Sequence, residues 1–98
     1  MNKVTFNGEV CTVVLSRYSG GNICLKLIDA NGIPFANSSV HSRLPLDDNE
    51  VIIKSYAENE GMFEALLKAG IVELVDTMET GLVTVHLCRV LVELPKNE

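Results

Sequence analysis

Between Lys3 and Phe6 polar and apolar residues alternate, and Asn7-Gly8 follows them. The alternation predicts a half-buried strand, and Asn-Gly is the strongest two-residue hairpin signal. From Glu9 to Arg17 both faces carry apolar residues, Val10, Thr12 and Val14 on one and Cys11, Val13 and Leu15 on the other. That pattern predicts a central strand covered on both sides at its middle. Tyr18 to Asn22 reads as a turn. Ile23, Leu25 and Leu27 then face one way and Lys26 the other, a second half-buried strand, closed by a hairpin turn at Asp29 to Gly32. Ile33 to His41 makes a poorer strand, because Pro34 lacks an amide donor and Asn37-Ser38-Ser39 is polar. Its place is a sheet edge.

Arg43 to Glu50 is a loop and Val51 to Lys54 a short strand. The one clear helix follows, from Ser55 to a stop at Gly70. Ser55 with Glu58 three residues on fits a capping box, with Asn59 as an alternative cap one turn later. Glu58 and Glu60 stand where the positive end of a helix dipole favours acids. Met62, Phe63, Leu66 and Leu67 form the apolar stripe, and Gly70 suits the C′ position. Ile71 to Val75 extends briefly into a strand, Asp76 to Gly81 reads as a loop, and Leu82 to Leu94 as a long bent strand or two strands, ended by Pro95.

Short connections and the absence of any repeat favour an antiparallel meander. The expectation is one α+β domain over residues 1–98: a twisted antiparallel sheet of about five to seven strands with a single helix packed on one face.

Charge changes the picture. The chain carries a net −5, distributed unevenly. Up to Leu46, Lys3, Arg17, Lys26 and Arg43 outnumber Glu9 and Asp29. From Asp47 to Thr80, Lys54 and Lys68 face nine acids: Asp47, Asp48, Glu50, Glu58, Glu60, Glu64, Glu73, Asp76 and Glu79. Such a surface repels nucleic acid and anionic membrane and attracts basic protein surfaces. Aromatics at 5% with no Trp leave no stacking platform for single strands. No stretch reaches the ~20 apolar residues of a membrane span, and the first nine residues have no signal-like apolar segment. The expected location is cytoplasmic.

Candidate chemistry is thin. Cys11, Cys24 and Cys88 are odd in number and widely spaced, which predicts buried reduced thiols with neither a zinc site nor a disulfide framework. His86 and Cys88 share one strand face, but two ligands make no metal site, and a histidine partnered by backbone or water beside a core thiol is the plainer reading. His41-Ser42-Arg43 and Ser38-Ser39 lack a Gly-x-Ser-x-Gly elbow, so Arg43 is read as half of a surface ion pair. Asp47-Asp48-Asn49-Glu50 lacks the spacing of a calcium loop, and Gly20-Gly21 precedes no helix, so it cradles no phosphate. No catalytic residue, metal or cofactor is assigned. Glu58, Glu60 and Glu64 stabilise the helix start or serve as a recognition patch for Arg and Lys of a partner.

Asn59-Glu60-Gly61-Met62, Glu64-Ala65-Leu66 and Ala69-Gly70-Ile71-Val72, followed by Thr80-Gly81-Leu82-Val83, resemble a small family of uncharacterised bacterial proteins of about this length, found in gut bacteria, conjugative elements and phages. Val4-Thr5-Phe6-Asn7-Gly8 and Cys88-Arg89-Val90-Leu91 match its two ends, so the resemblance spans nearly the whole chain. It implies a setting in mobile DNA and transfers no catalytic residue. Small acidic proteins of such elements often bind host proteins.

The leading expectation is therefore a non-enzymatic protein-binding module, an accessory or counter-defence protein, whose Asp47, Asp48, Glu50, Glu58, Glu60 and Glu64 meet a basic partner. The first alternative is a homo-oligomer paired through edge strands or through Leu82 to Leu94. The second is a small enzyme or ligand-binding protein with a pocket near Tyr56, His86 and Cys88.

Overall fold

In a computed structural model, which describes residues 2–40 and 45–94, the chain forms β1 (Lys3–Phe6), β2 (Glu9–Arg17), β3 (Ile23–Ile28), β4 (Pro34–Asn37), β5 (Ser39–Val40) and β6 (Glu50–Lys54). A 3-10 turn (Ala57–Asn59), α1 (Met62–Lys68), β7 (Val72–Thr80) and β8 (Val83–Val90) complete it. The architecture is α+β, antiparallel throughout, with one α-helix. His41, Ser42, Arg43 and Pro95, to which the sequence reading gave a strand end, a surface ion pair and a stop, lie outside the described residues.

The strands divide into two sheets of four, β1-β2-β3-β4 and β5-β6-β8-β7, where the hydrophobic pattern suggested one sheet of five to seven. The reason lies at Ser38. The described part of the poor strand, Pro34 to Val40, is indeed an edge, but it bends after Asn37 and changes sheets. Ser38 N–H donates to Leu25 O of β3 (2.9 Å), while its carbonyl accepts from Lys54 N at the end of β6 (3.0 Å). One residue thus belongs to both ladders. β4 also carries a bulge, since Leu27 pairs with Ala36 but Ile28 with Pro34. The bulge turns Phe35 so that its ring meets Phe6 of β1 edge-on, 6.3 Å between centroids and 85° between planes. The two edges of the first sheet are thereby brought together.

Alternation holds on the inner faces. Val4, Phe6, Cys11, Val13, Leu25 and Leu27 of the first sheet, with Val51, Ile53, Cys88 and Val90 of the second, form one buried cluster. From α1, Met62, Phe63 and Leu66 complete it, each contributing about 1.5–3 kcal/mol on burial. Leu67, placed in the same stripe by spacing, is 45% exposed instead.

The helical region is shorter than its propensities suggest. Gly61 at φ 86° separates the 3-10 turn from α1, which has seven residues. Ser55 acts as a cap at long range: its Oγ accepts from Phe63 N at 2.6 Å across the Gly61 reversal. Asn59, the alternative cap, is buried and bonded elsewhere. At the other end Ile71 N donates to Leu66 O and Gly70 N to Leu67 O, with Gly70 at φ 74°. These are the two bonds of a Schellman stop.

Two further corrections concern the C-terminal hairpin. Asp76 to Thr80 is strand, not loop: β7 runs on through a bulge between Leu74 and Asp76 and pairs with β8 up to Thr80–Val83. Gly81 and Leu82 make the two-residue turn, and β8 ends at Val90, before the expected Leu94. The polar β7 has only one neighbour to pair with, which is why it reads as loop in sequence.

Candidate functional site

The six acids singled out by charge fall into two groups. Glu50 begins β6 opposite Arg89, and Lys54 ends it opposite Val85. At ~3.3 Å per residue these ends stand ~13 Å apart. Asp47 and Asp48 adjoin the Glu50 end. Glu58 and Glu60 follow Lys54 at the other, and Glu64 stands in the first turn of α1 just after them.

The first group is engaged in the fold. Asp47 N donates to Glu50 Oε1 (2.9 Å) while Glu50 N donates to Asp47 O (3.0 Å), a reciprocal lock on the turn. Asp48 Oδ1 lies 3.3 Å from an Arg17 guanidinium nitrogen, and Arg17 also reaches the Asp48 carbonyl. The Arg17 side chain is only 10% exposed, so this pair anchors the loop to β2. The second group is unmatched. Glu58, Glu60 and Glu64 are exposed and make no ion pair among the described residues, where the pairs are Arg17–Asp48 and Arg89–Glu73.

Between Glu58 and Glu60 the chain is pinned from below. Asn59 is 2% exposed, and its Nδ2 donates to Asn37 O at 2.7 Å. Met62 Sδ accepts from Ser38 Oγ at 3.1 Å. The Ser39 hydroxyl accepts from Leu25 N (2.9 Å), donates to Asn37 Oδ1 (3.2 Å) and shares a bond with the Tyr18 hydroxyl (3.1 Å). This satisfied polar network holds the acids' backbone to the seam between the sheets. The Asn59-Glu60-Gly61-Met62 element is thus built for architecture: two anchors, Asn59 and Met62, separated by the glycine that permits the reversal.

Above the seam lies a groove of about 340 Å³ lined by Phe6, Asn7, Phe35, Ala36, Asn37, Lys54, Glu58 and Asn59. A second hollow of about 330 Å³ continues past Phe35 to Lys26 and Pro34. The groove supplies two aromatic rings, carboxamides, one cation and one carboxylate, with neither thiol nor imidazole. That is a set for binding and orienting a polar group. Of its residues only Glu58 stood out in the sequence. Phe6, Phe35 and Lys54 lie on strands distant in the chain and meet only because the β4 bulge and the Ser38 crossover bring them together.

Phe63 of α1 stacks on the His86 ring at 4.1 Å and 4°. Among the described residues His86 Nδ1 is buried without a hydrogen-bond partner. Cys88 lies one pair along β8, fully buried, and burial pushes its thiol up to about 12. Burial raises Cys11 as well, aided by the charges of Glu9 and Asp29. All three cysteines are buried and unpaired. With raised values, the Cys11 and Cys88 thiols are poor nucleophiles, since the thiolate is the reactive form. Among the described residues no group of three His, Cys, Asp or Glu side chains is placed to hold a metal, and no helix is long and apolar enough to cross a membrane. No protein-family model, curated protein or solved structure matches the chain.

Proposed function

We propose that the chain is a non-enzymatic protein-binding module whose acids at the Lys54 end of β6 engage a basic surface of a partner protein. The observation that carries this reading is the pair Glu58 and Glu60, exposed and outside any ion pair among the described residues, on either side of the buried Asn59, with Glu58 lining the groove beside Phe35. Anchored backbone with free carboxylates is a pre-organised recognition surface, because little ordering cost remains for binding. Asp47, Asp48 and Glu50 take a lesser part, their polar groups being spent on the turn and on Arg17. The resemblance noted above supports a setting in a phage or other mobile element, with an accessory or counter-defence role. Three unpaired thiols support a reducing compartment, the cytoplasm.

The test is affinity capture of the tagged protein from nuclease-treated bacterial lysate, wild type beside Glu58→Lys/Glu60→Lys. A basic protein is expected at stoichiometric yield and is expected to vanish with the double reversal, while the thermal midpoint stays put. Retention of the partner by the reversed variant would sink the reading.

A further inference from the structure

We propose that the free edge of β7 accepts an extended, basic segment of a partner protein as an added strand. β7 is the last strand of its sheet and has nine residues, and from Glu73 to Glu79 it is exposed throughout except at the half-buried Met78. In an antiparallel ladder the residues of a two-residue hairpin's closing pair bond to each other, and every second residue then turns its amide and carbonyl away. Counting back from Thr80–Val83, Thr77 and Glu79 face outward. Beyond the bulge the Leu91 N–H bonds to Ile71 O, so Leu74 faces outward too. The outward N–H of Thr77 meets no strand carbonyl and donates instead to the neighbouring Asp76 Oδ1 at 2.8 Å, a bond that an added strand would replace. Leu74 and Val75, 47% and 40% exposed, add apolar surface to this edge.

Charge selects the occupant. β7 carries Glu73, Asp76 and Glu79 and no basic residue. Two copies placed edge to edge would bring six carboxylates to one seam, of which, among the described residues, Glu73 alone is in an ion pair, with Arg89 at 2.9 Å. Like charges across a strand pair are destabilising and opposite charges favourable. A second copy is therefore a poor match, and a strand alternating Lys or Arg with apolar residues a good one. β4, an edge of the other sheet, is a worse template: it is four residues long, is bulged, and starts at Pro34, which has no amide to donate.

The inference rests on the reading that the partner is a basic protein, and adds how it docks. The experiment titrates the isotope-labelled full chain with a synthetic peptide alternating lysine and valine, of the length of β7, at physiological salt. Amide shifts and slowed exchange are expected at Leu74, Thr77 and Glu79. Replacing the peptide's central valine by proline is expected to weaken binding about tenfold or more, as is Asp76→Lys/Glu79→Lys in the protein. Glu58→Lys/Glu60→Lys is expected to leave the β7 shifts in place, which separates this inference from the acids of the previous section. The proposal is overturned by shifts confined to Glu58–Glu64, by equal binding of the proline peptide or of a glutamate–valine peptide, or by light scattering that shows a dimer with protected β7 amides.

Discussion

Around Ser38 the chain buries polar groups, and along β7 it exposes apolar ones. Ser38, Ser39 and Asn59 are at most 2% exposed, whereas Leu74 and Val75 are close to half exposed. Both regions depart from the usual sorting, for opposite reasons. At the seam every buried polar group named has a partner, so the network costs little and fixes which strand joins which sheet. At β7 no described strand pairs with the outer edge, so its exposed leucine and valine contribute little to folding and are available to something else. Burial and hydrophobicity thus carry separate information, one about specificity of fold and the other about contacts outside it.

The sharpest way to break the comparison is Met62→Ala. It removes a fully buried side chain and strands the Ser38 hydroxyl that donates to it, so chemical unfolding should show a loss of about 2–5 kcal/mol. Asn59→Ala leaves the Asn37 carbonyl without its donor, and a loss of about 1–3 kcal/mol is expected by the same measurement. A result near zero would mean that water replaces the carboxamide and that the seam is not dry.

Cys88 marks the border between the regions, paired with Val51 on one side and Leu74 on the other. Its thiol holds its proton to about 12 when folded, against an ordinary value of 9.0. The folded state therefore binds the extra proton, and the stabilisation is complete below 9.0 and lost as pH rises towards 12. The slope should approach about 1.4 kcal/mol per pH unit. Stability measured against pH should fall less steeply in Cys88→Val, with Cys11 supplying what slope remains. The smallest effect belongs to β7 itself: Leu74→Ser should change stability by less than about 0.5 kcal/mol. A larger loss would show that the edge is held in place by contacts of its own.

Much of the fold was legible residue by residue. Asn7-Gly8 forms its turn with both residues at positive φ, 51° and 77°, and Gly70 forms its stop. Pro34 correctly demoted its strand to an edge. What escaped were features decided by distant partners. Ser55 suggested a capping box with Glu58, but its acceptor serves Phe63, because Gly61 turns the chain between them. Asp76 to Thr80 carries loop-like residues, yet an edge strand needs only one apolar face and one neighbour. For the site, charge found Glu58, Glu60 and Glu64 but not that Asp48 is held by Arg17, since nothing in the local sequence links positions 31 apart. Phe35 became visible as a site residue only with the bulge that turns it.

The double allegiance of Ser38 has a bearing on how the molecule comes apart. The first four strands form a meander of near neighbours in the chain and can assemble by local closures, whereas the second sheet must bring β6 back against β8 across the helix. A peptide that donates into one ladder and accepts from the other ties these two events together. Neither half can open at that point without loosening its neighbour, so the amides of Ser38 and Lys54 should show exchange protection matching the free energy of the whole domain's unfolding, as members of one cooperative unit.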